Sequence, residues 1–176
     1  MHSKEELLEL ILKKPSEYAD YKASIGEQEL DLSELDFSNS NLDGIDFSKA
    51  DLSGSSFNDS HLSIVNFTEC ELKAADFTRA TIIESDFSGS LVNGTDFSFA
   101  KVDFCNFTDA DMAGSIFIEA DLTNSDFSAS ENLNASRYDE TTLWPDPELL
   151  PEDFDTSSSR DLSSLDDEDD VSSEDY

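Results

Sequence analysis

Few residues of this sequence could act as nucleophiles, bases or metal ligands. The chain contains two histidines, His2 and His61, and two cysteines, Cys70 and Cys105. No metal-ligand spacing, glycine-rich phosphate loop or nucleophile–base arrangement is present. The 42 acidic residues recur at regular intervals without marking one pair as general acid and base. Rows of them could hold a divalent cation weakly, but a solvated face is the preferred interpretation, and we predict a non-enzyme with no cofactor and no metal.

The elements that position these residues are short repeats. From residue 30 to residue 129 the chain divides into twenty consecutive blocks of five, beginning LDLSE, LDFSN, SNLDG and IDFSK. The third residue of every block is large and apolar, the first is usually small, and the second is most often Asp or Asn. Every second block has Phe in its third position, which gives the set Phe37, Phe47, Phe57, Phe67, Phe77, Phe87, Phe97, Phe107, Phe117 and Phe127.

A period of five indicates a solenoid. It fits neither an α-helix, with about 3.6 residues per turn, nor a flat strand, with a period of about two. In a solenoid each unit buries its apolar side by stacking on its neighbours. The first and third positions are two residues apart, so in an extended segment both point inward and the other three face water. Cys70 and Cys105 occupy first positions, and we interpret them as small buried packing residues.

With their A(D/N)LXX-like form, the blocks resemble those of the pentapeptide-repeat family over the central hundred residues. The resemblance implies an all-β solenoid, a right-handed quadrilateral parallel β-helix with four blocks in each coil and about five coils. The alternation of Phe independently favours an even number of blocks per coil, because an odd number would stack Phe on aliphatic side chains. Four blocks per coil predict two columns of Phe on opposite walls, separated by two aliphatic walls.

The remaining sequence is interpreted as the two ends of this solenoid, which occupies 30–130. Ser3 and Glu6 form a capping-box pattern, and they predict a helix over 3–13 followed by a short helical turn over 15–24. We expect 1–29 to cover the first coil; an amphipathic membrane or partner helix is the less favoured alternative. The register gains one residue near 130–132.

At the other end, 131–154 is predicted to form a last coil and cap. Its Tyr138 and Trp144 resemble the closing aromatic residues seen in many pentapeptide-repeat proteins. From 155 to 176 the chain is almost entirely Ser, Asp and Glu, and we predict a disordered acidic tail. The tail is either a solubilising segment or a contact for basic partners.

The charge limits the partners. The formal net charge of −32 excludes direct nucleic-acid binding through phosphate neutralisation and disfavours anionic membranes. Glu9 interrupts the apolar run near the N-terminus, so a signal peptide is not predicted. We expect a cytoplasmic bacterial monomer that binds an unidentified protein partner.

Outward-facing apolar residues mark a candidate contact surface. The four-block arrangement gathers them on two adjoining walls, and a contiguous apolar patch more often marks a contact site than isolated residues do. The alternative is that the C-terminal segment folds over them. The predicted patch comprises Ile64, Ile83 and Phe104 on one wall and Phe99, Ile116 and Ile118 on the next.

Two functions follow. The favoured one is a rigid acidic scaffold for protein–protein contact. The alternative is DNA mimicry, which the resemblance implies because fluoroquinolone-resistance members of the family bind DNA gyrase as an acidic rod. Residues 30–130 carry 19 acidic and 4 basic side chains, a net charge of −15, or about one charge per 1.6 Å against roughly 1.7 Å in duplex DNA. Gyrase-protecting members typically interrupt their coils with a loop, whereas these blocks are unbroken.

Overall fold

The backbone pairs with itself at an interval of twenty residues. Parallel bridges join Asp36 to Ser56 and Asp76 to Asp96, and the same interval recurs along the repeats. Four blocks therefore complete one coil of a parallel β-helix. The computed structural model describes residues 2–156. The acidic tail predicted for 155–176 lies outside the described residues, apart from its first two.

One wall of the β-helix contains regular strands. They form a three-stranded parallel sheet in which each residue lies opposite the one twenty positions later. Elsewhere single bridges connect the coils, because most blocks bend immediately after their extended residues. The strands are β1 (His61–Ser63), β2 (Thr81–Ile83) and β3 (Lys101–Asp103).

The second residue of most blocks makes the chain bend. Oδ1 of Asp96 accepts the backbone N–H of Ser98 at 2.8 Å, and Oδ1 of Asn66 accepts that of Thr68 at 3.0 Å. The same bond recurs in blocks throughout the repeats. A short side-chain acceptor two residues before a backbone N–H stabilises a turn. This bond is the physical reason for Asp and Asn at the second position.

The fifth residue forms the corner between walls. Its φ is positive in every block from residue 34 to residue 119, between 50° at Glu84 and 72° at Gly114. In most blocks the turn closes with a hydrogen bond from the next residue to the third position, as from Ala50 N–H to Phe47 O at 3.0 Å. A positive φ at this point of a four-residue turn is the type II pattern, which Gly and Asn tolerate best. Five of the six glycines occupy fifth positions, at Gly44, Gly54, Gly89, Gly94 and Gly114.

Two columns of stacked phenylalanine rings fill much of the interior. The rings of Phe57 and Phe77 are 4.6 Å apart with planes 5° apart, and those of Phe107 and Phe127 are 4.4 Å and 7° apart. The two columns also meet edge to face, as at Phe67 and Phe77, whose centroids are 5.8 Å apart. All ten rings are fully buried. Such aromatic pairs stabilise a core by about 0.5–1.5 kcal/mol beyond simple burial.

Two helices precede the first coil. They are α1 (Lys4–Lys13) and α2 (Pro15–Ile25). Ser3 and Glu6 form both bonds of a capping box at the start of α1. Lys4 Nζ lies 2.6 Å from Asp31 Oδ1 and, by donating to it, holds the pKa of that carboxyl below its usual value. Within residues 2–156, neither helix has the length and apolar character needed to cross a membrane.

Helix α2 lies where the sequence predicts a second helical segment. The predicted segment is 15–24, and the structure has an α-helix over Pro15–Ile25, one residue longer. Pro15 suits the first turn of a helix because its missing N–H has no intrahelical partner there. Tyr18 and Lys22, one turn apart, donate side-chain hydrogen bonds to backbone carbonyls of Asp46 and Ser48. These two bonds hold α2 against the block 45–49 of the repeats.

At the C-terminal end the coil lengthens. Ile116 pairs with Arg137, 21 residues later, and Asp121 pairs with Leu143, 22 residues later. The extra residues are accommodated in short irregular segments rather than in the paired ones. Two 3-10 turns lie in this region, Leu133–Ala135 and Pro147–Leu149.

An aromatic cluster lies over the last coil. The Trp144 ring meets the last ring of each Phe column edge to face, at 5.6 Å from Phe117 and 6.2 Å from Phe127. Tyr138 and Phe154 pack against the same indole, at 5.2 and 4.7 Å. Tyr138 also donates its hydroxyl hydrogen to the Asp155 carbonyl at 2.9 Å. The ends of both Phe columns are thereby covered by aromatic side chains.

Candidate functional site

Three consecutive coils present a wall that lacks the usual Asp or Asn. Their second residues are His61, Thr81 and Lys101, which begin β1, β2 and β3. On the same wall, the flanking blocks carry Asn41 and Asp121, and both side chains accept the turn hydrogen bond. The three central blocks are extended where the flanking blocks turn. We call blocks 60–64, 80–84 and 100–104 the strand wall.

The fifth residues of the strand wall form one column parallel to the axis of the β-helix. These residues are Ile64, Glu84 and Phe104, one in each coil. Because the preceding strands pair in register, the three corners stack in the same order. Ile64 is 65% exposed and Phe104 is 62% exposed, and Glu84 is exposed between them. We call this set the corner column.

The corner column places bulky apolar residues in an unfavourable backbone conformation. The φ angles of Ile64 and Phe104 are 57° and 54°, in the left-handed region. A β-branched or bulky residue is rare there, since its Cβ crowds the backbone at a cost of roughly 1–2 kcal/mol. Burial does not offset this cost, because both side chains are mostly exposed. Neither local conformation nor core packing explains why apolar residues occupy these corners.

The other predicted patch residues are less exposed, apart from Phe99. Phe99 is a corner residue of the adjoining wall, 50% exposed, with a φ of 62°. Ile83, Ile116 and Ile118 are half-buried. Backbone bonds of 2.9 Å link Ile64 N–H to Ile83 O and Phe99 N–H to Ile118 O, so these two exposed corners each have a half-buried isoleucine in the next coil. The exposed part of the predicted patch is thus three side chains, with Glu84 between two of them.

Replacing Ile64 by Asn should stabilise the protein. Asn tolerates the left-handed conformation that Ile disfavours, and the exposed side chain loses little buried area. We expect the free energy of unfolding to rise by about 1 kcal/mol in a chemical denaturation experiment. The reverse change, Asn39→Ile at a corner with a φ of 54°, should lower it by about the same amount. A loss of stability in Ile64→Asn would show that Ile64 has a structural role.

The few basic residues of the repeats are all paired with carboxylates. Lys73 lies 3.1 Å from Glu71, and Arg79 lies 2.9 Å from Asp59. Of the remaining pairs, Lys49 binds Glu27, and Lys101 lies 3.7 Å from Asp103. Within residues 2–156 the Glu84 carboxylate makes no ion pair or hydrogen bond. The corner column therefore offers an unpaired negative charge between two apolar groups.

On the wall that follows the strand wall, charged and neutral second residues alternate, which weakens the case for DNA mimicry. Asn106 Nδ2 donates to Asp86 Oδ1 at 3.2 Å, so an amide separates carboxylates that would otherwise repel at about 4.8 Å. The carboxylates are also turn acceptors, so their presence has a structural explanation independent of charge. The column contains Asp46, Asn66, Asp86, Asn106 and Asp126.

Removal of one turn acceptor tests this structural role. Asp86 Oδ1 accepts the Ser88 N–H at 2.9 Å as well as the Asn106 amide. Asp86→Ala removes both bonds and should lower the free energy of unfolding by about 1–2 kcal/mol. Asp86→Asn keeps an oxygen at the same place and should stay within about 0.5 kcal/mol of the original protein. Equal losses in the two variants would mean that the charge, and not the turn bond, stabilises the coil.

The residues that could do chemistry are dispersed. Burial raises the pKa of the Cys70 and Cys105 thiols to about 12, so both stay protonated at neutral pH. His61 lies on the strand wall with Nε2 3.8 Å from Asp43 Oδ1, and His2 pairs with Glu6 near the N-terminus. In the part of the chain that the structure describes, no three His, Cys, Asp or Glu side chains meet in a group that could hold a metal ion.

Two residues of this surface were not predicted from the sequence. The column of Glu84 follows from the period of twenty, but an acidic residue at an outward position has no feature in the sequence that marks it as part of an apolar surface. Leu143 is 52% exposed and pairs with Asp121, so it extends the same wall toward the C-terminus. The glycines at fifth positions were the available sign that corners need a positive φ, and they would have marked Ile64 as unusual.

Models of known protein families match the five-residue repeats of this chain. The family model described as "Pentapeptide repeat region" matches residues 60–137, and that described as "Pentapeptide repeats (9 copies)" matches residues 37–81. Together they span more than half of the chain. No curated protein matches it.

Several solved structures are similar. The pentapeptide repeat protein Rfr23 from the cyanobacterium Cyanothece 51142 is 16% identical, with 70% of this chain and 95% of that chain covered and a TM-score of 0.38. The pentapeptide repeat protein alr5209 from Nostoc Pcc 7120 is 27% identical, with coverages of 57% and 77% and a TM-score of 0.41. QnrB1, a plasmid-mediated fluoroquinolone resistance protein, is 18% identical, with coverages of 64% and 64% and a TM-score of 0.36. On the evidence of the two family models and the twenty-residue pairing, the chain belongs to the pentapeptide-repeat family.

Proposed function

We propose that this protein is a non-enzymatic, rigid acidic scaffold that binds a protein partner through the strand wall and its exposed corners. The observation that carries the proposal is the presence of Ile64, Phe99 and Phe104 at exposed corners with positive φ. Residues that adopt an unfavourable backbone conformation and do not stabilise the fold in exchange are commonly found at functional sites. Large exposed apolar side chains on one part of the surface, such as Phe99 and Phe104 on either side of 100–103, are also common at protein contacts.

The architecture that supports this function is a right-handed quadrilateral β-helix of about five coils. In this proposal α1 and α2 close its N-terminal end and the Trp144 cluster closes the other. Closed ends prevent end-to-end stacking, so the protein acts as a monomer whose side walls are available. A stiff β-helix holds exposed corners at fixed spacing, which reduces the entropic cost of binding.

DNA mimicry is the less favoured function. The repeats carry a net charge of −15, as a DNA mimic requires, but the second-position carboxylates already have a role as turn acceptors. A mimic of this kind would inhibit or protect DNA gyrase through charge. Supercoiling by gyrase, with and without a quinolone, should be unchanged by micromolar protein if the scaffold proposal is correct.

Affinity capture with matched variants tests the proposal. The apolar variant carries Ile64→Asn, Phe99→Asn and Phe104→Asn, all compatible with the corner conformation. The charge variant carries Asp46→Asn, Asp86→Asn and Asp126→Asn, which keep the turn bonds and remove three negative charges. A partner captured by the original protein should be retained by the charge variant and reduced at least about tenfold by the apolar variant. If the apolar variant retains the partner and the charge variant loses it, the proposal is overturned. That result would support a surface that the partner recognises by its negative charge.

A further inference from the structure

We propose that the corner column binds an amphipathic helix that lies parallel to the axis of the β-helix and places a Lys or Arg over Glu84. This inference rests on the proposed function, because it names the chemistry of the partner at the same surface. It follows from the order of residues in the column, their spacing and the unpaired charge of Glu84.

The spacing of the column selects a helix. Neighbouring coils are about 4.8 Å apart, so Ile64 and Phe104, two coils apart, are separated by about 10 Å along the axis. Two residues seven positions apart on one face of an α-helix are separated by about 10.5 Å. In an extended strand the nearest match is three residues, at about 10 Å, but residues three apart point to opposite faces. An α-helix can contact both apolar corners with one face, and an extended β-strand cannot. A polyproline II segment also has residues about 9.3 Å apart on one face, but it has no residue between them on that face to meet Glu84, whereas the α-helix has one.

The negative charge of Glu84, the middle residue of the column, determines which residue of the bound helix should lie opposite it. Glu84 lies about 4.8 Å from each neighbour, close to the rise of one helical turn, about 5.4 Å. A residue three or four positions after the first apolar anchor would therefore lie above the carboxylate. Within residues 2–156 this carboxylate has no cationic partner, and a Lys or Arg would supply one. The recognised pattern is an apolar residue, a basic residue at the third or fourth position after it, and an apolar residue at the seventh.

The strand wall offers no other obvious mode of peptide binding. Its strands pair with one another, and its outer strands are continued by bridges at Asn41–His61 and Lys101–Asp121. Addition of a strand to this sheet would need a free edge. The recognition must therefore use side chains that project from the wall, and the corner column projects the most apolar of them.

A display library of stapled helices, randomised on one face, tests the inference with the full-length protein as target. The original protein should enrich helices with the apolar–basic–apolar pattern by at least about tenfold over an extended-peptide library of equal diversity. Glu84→Lys should change the selected middle residue from Lys or Arg to Asp or Glu. Glu34→Lys is the matched control, since Glu34 is also an exposed corner residue with a φ of 61°, and it should leave the selection unchanged.

The other outcomes overturn the inference. They are equal enrichment of extended peptides, no enrichment above that of the Ile64→Asn/Phe104→Asn variant, or the same basic residue selected by Glu84→Lys. Failure of the helix-binding inference can be distinguished from failure of the proposed scaffold function. If capture of a partner still requires the exposed corners while the helices fail, the scaffold proposal stands and the partner has another shape.

Discussion

Replacing Phe97 by Ala should lower the free energy of unfolding by about 3–5 kcal/mol. Phe97 is fully buried at the middle of one Phe column, stacked on Phe77 at 5.1 Å and on Phe117 at 5.4 Å. It also meets Phe87 and Phe107 of the other column edge to face. Removal of the ring breaks four aromatic contacts and leaves a cavity that the rigid coils on either side cannot close. Chemical denaturation followed by circular dichroism measures the change.

Phe97→Leu is the control for ring contacts. It keeps most of the volume but none of the four ring contacts. We therefore expect a loss of about 1.5–3 kcal/mol, smaller than that of Phe97→Ala because the cavity is smaller. A loss below about 1 kcal/mol in Phe97→Ala would contradict the stacked columns, because an unstacked or exposed ring has little to lose.

Insertion of one alanine after Gly89 should lower the free energy of unfolding by about 2–4 kcal/mol. Gly89 N–H donates to Thr108 O at 2.9 Å, and Ser90 N–H closes the turn on Phe87 O at 3.1 Å. An extra residue breaks the turn bond and displaces the inter-coil bond, each worth about 1–3 kcal/mol when its buried groups are left unpaired. The alternative, a slip of the following residues, would turn inward side chains outward and costs more.

The same insertion after Asn132 is the control for chain length. There the register already contains an additional residue, and Asn132 has a φ of 56°. The expected loss is below about 1 kcal/mol. A melting temperature unchanged by the Gly89 insertion would mean that the strict period of five is not required by the fold.

The fold was the more predictable part of this molecule. Phe in every second block is enough to infer coils with an even number of blocks, and the pairing of Asp76 with Asp96 has the interval of twenty. Ser3 and Glu6 were enough to locate the start of α1. These features are local or periodic, so they can be predicted from the sequence without knowledge of tertiary contacts.

The surface was less predictable because it depends on backbone conformation and register together. The outward direction of Ile64 and Phe104 follows from the repeat, but their positive φ follows from a turn geometry that only the glycines indicated. The place where α2 docks on the repeats depends on side-chain bonds of Tyr18 and Lys22 to block 45–49. Helix docking and corner conformation are tertiary properties, which a periodic pattern does not contain.

A pair of engineered cysteines tests the corner column most directly. The Cα atoms of Ile64 and Glu84 should be about 5 Å apart, within disulfide range, whereas Ala74 belongs to the corner diagonally across the coil. Ile64→Cys/Glu84→Cys should form an intramolecular disulfide under mild oxidation, with Cys70 and Cys105 enclosed and unreactive. Ile64→Cys/Ala74→Cys should remain reduced. Disulfide formation in the second pair, or in neither, would contradict the twenty-residue winding that brings Ile64, Glu84 and Phe104 together.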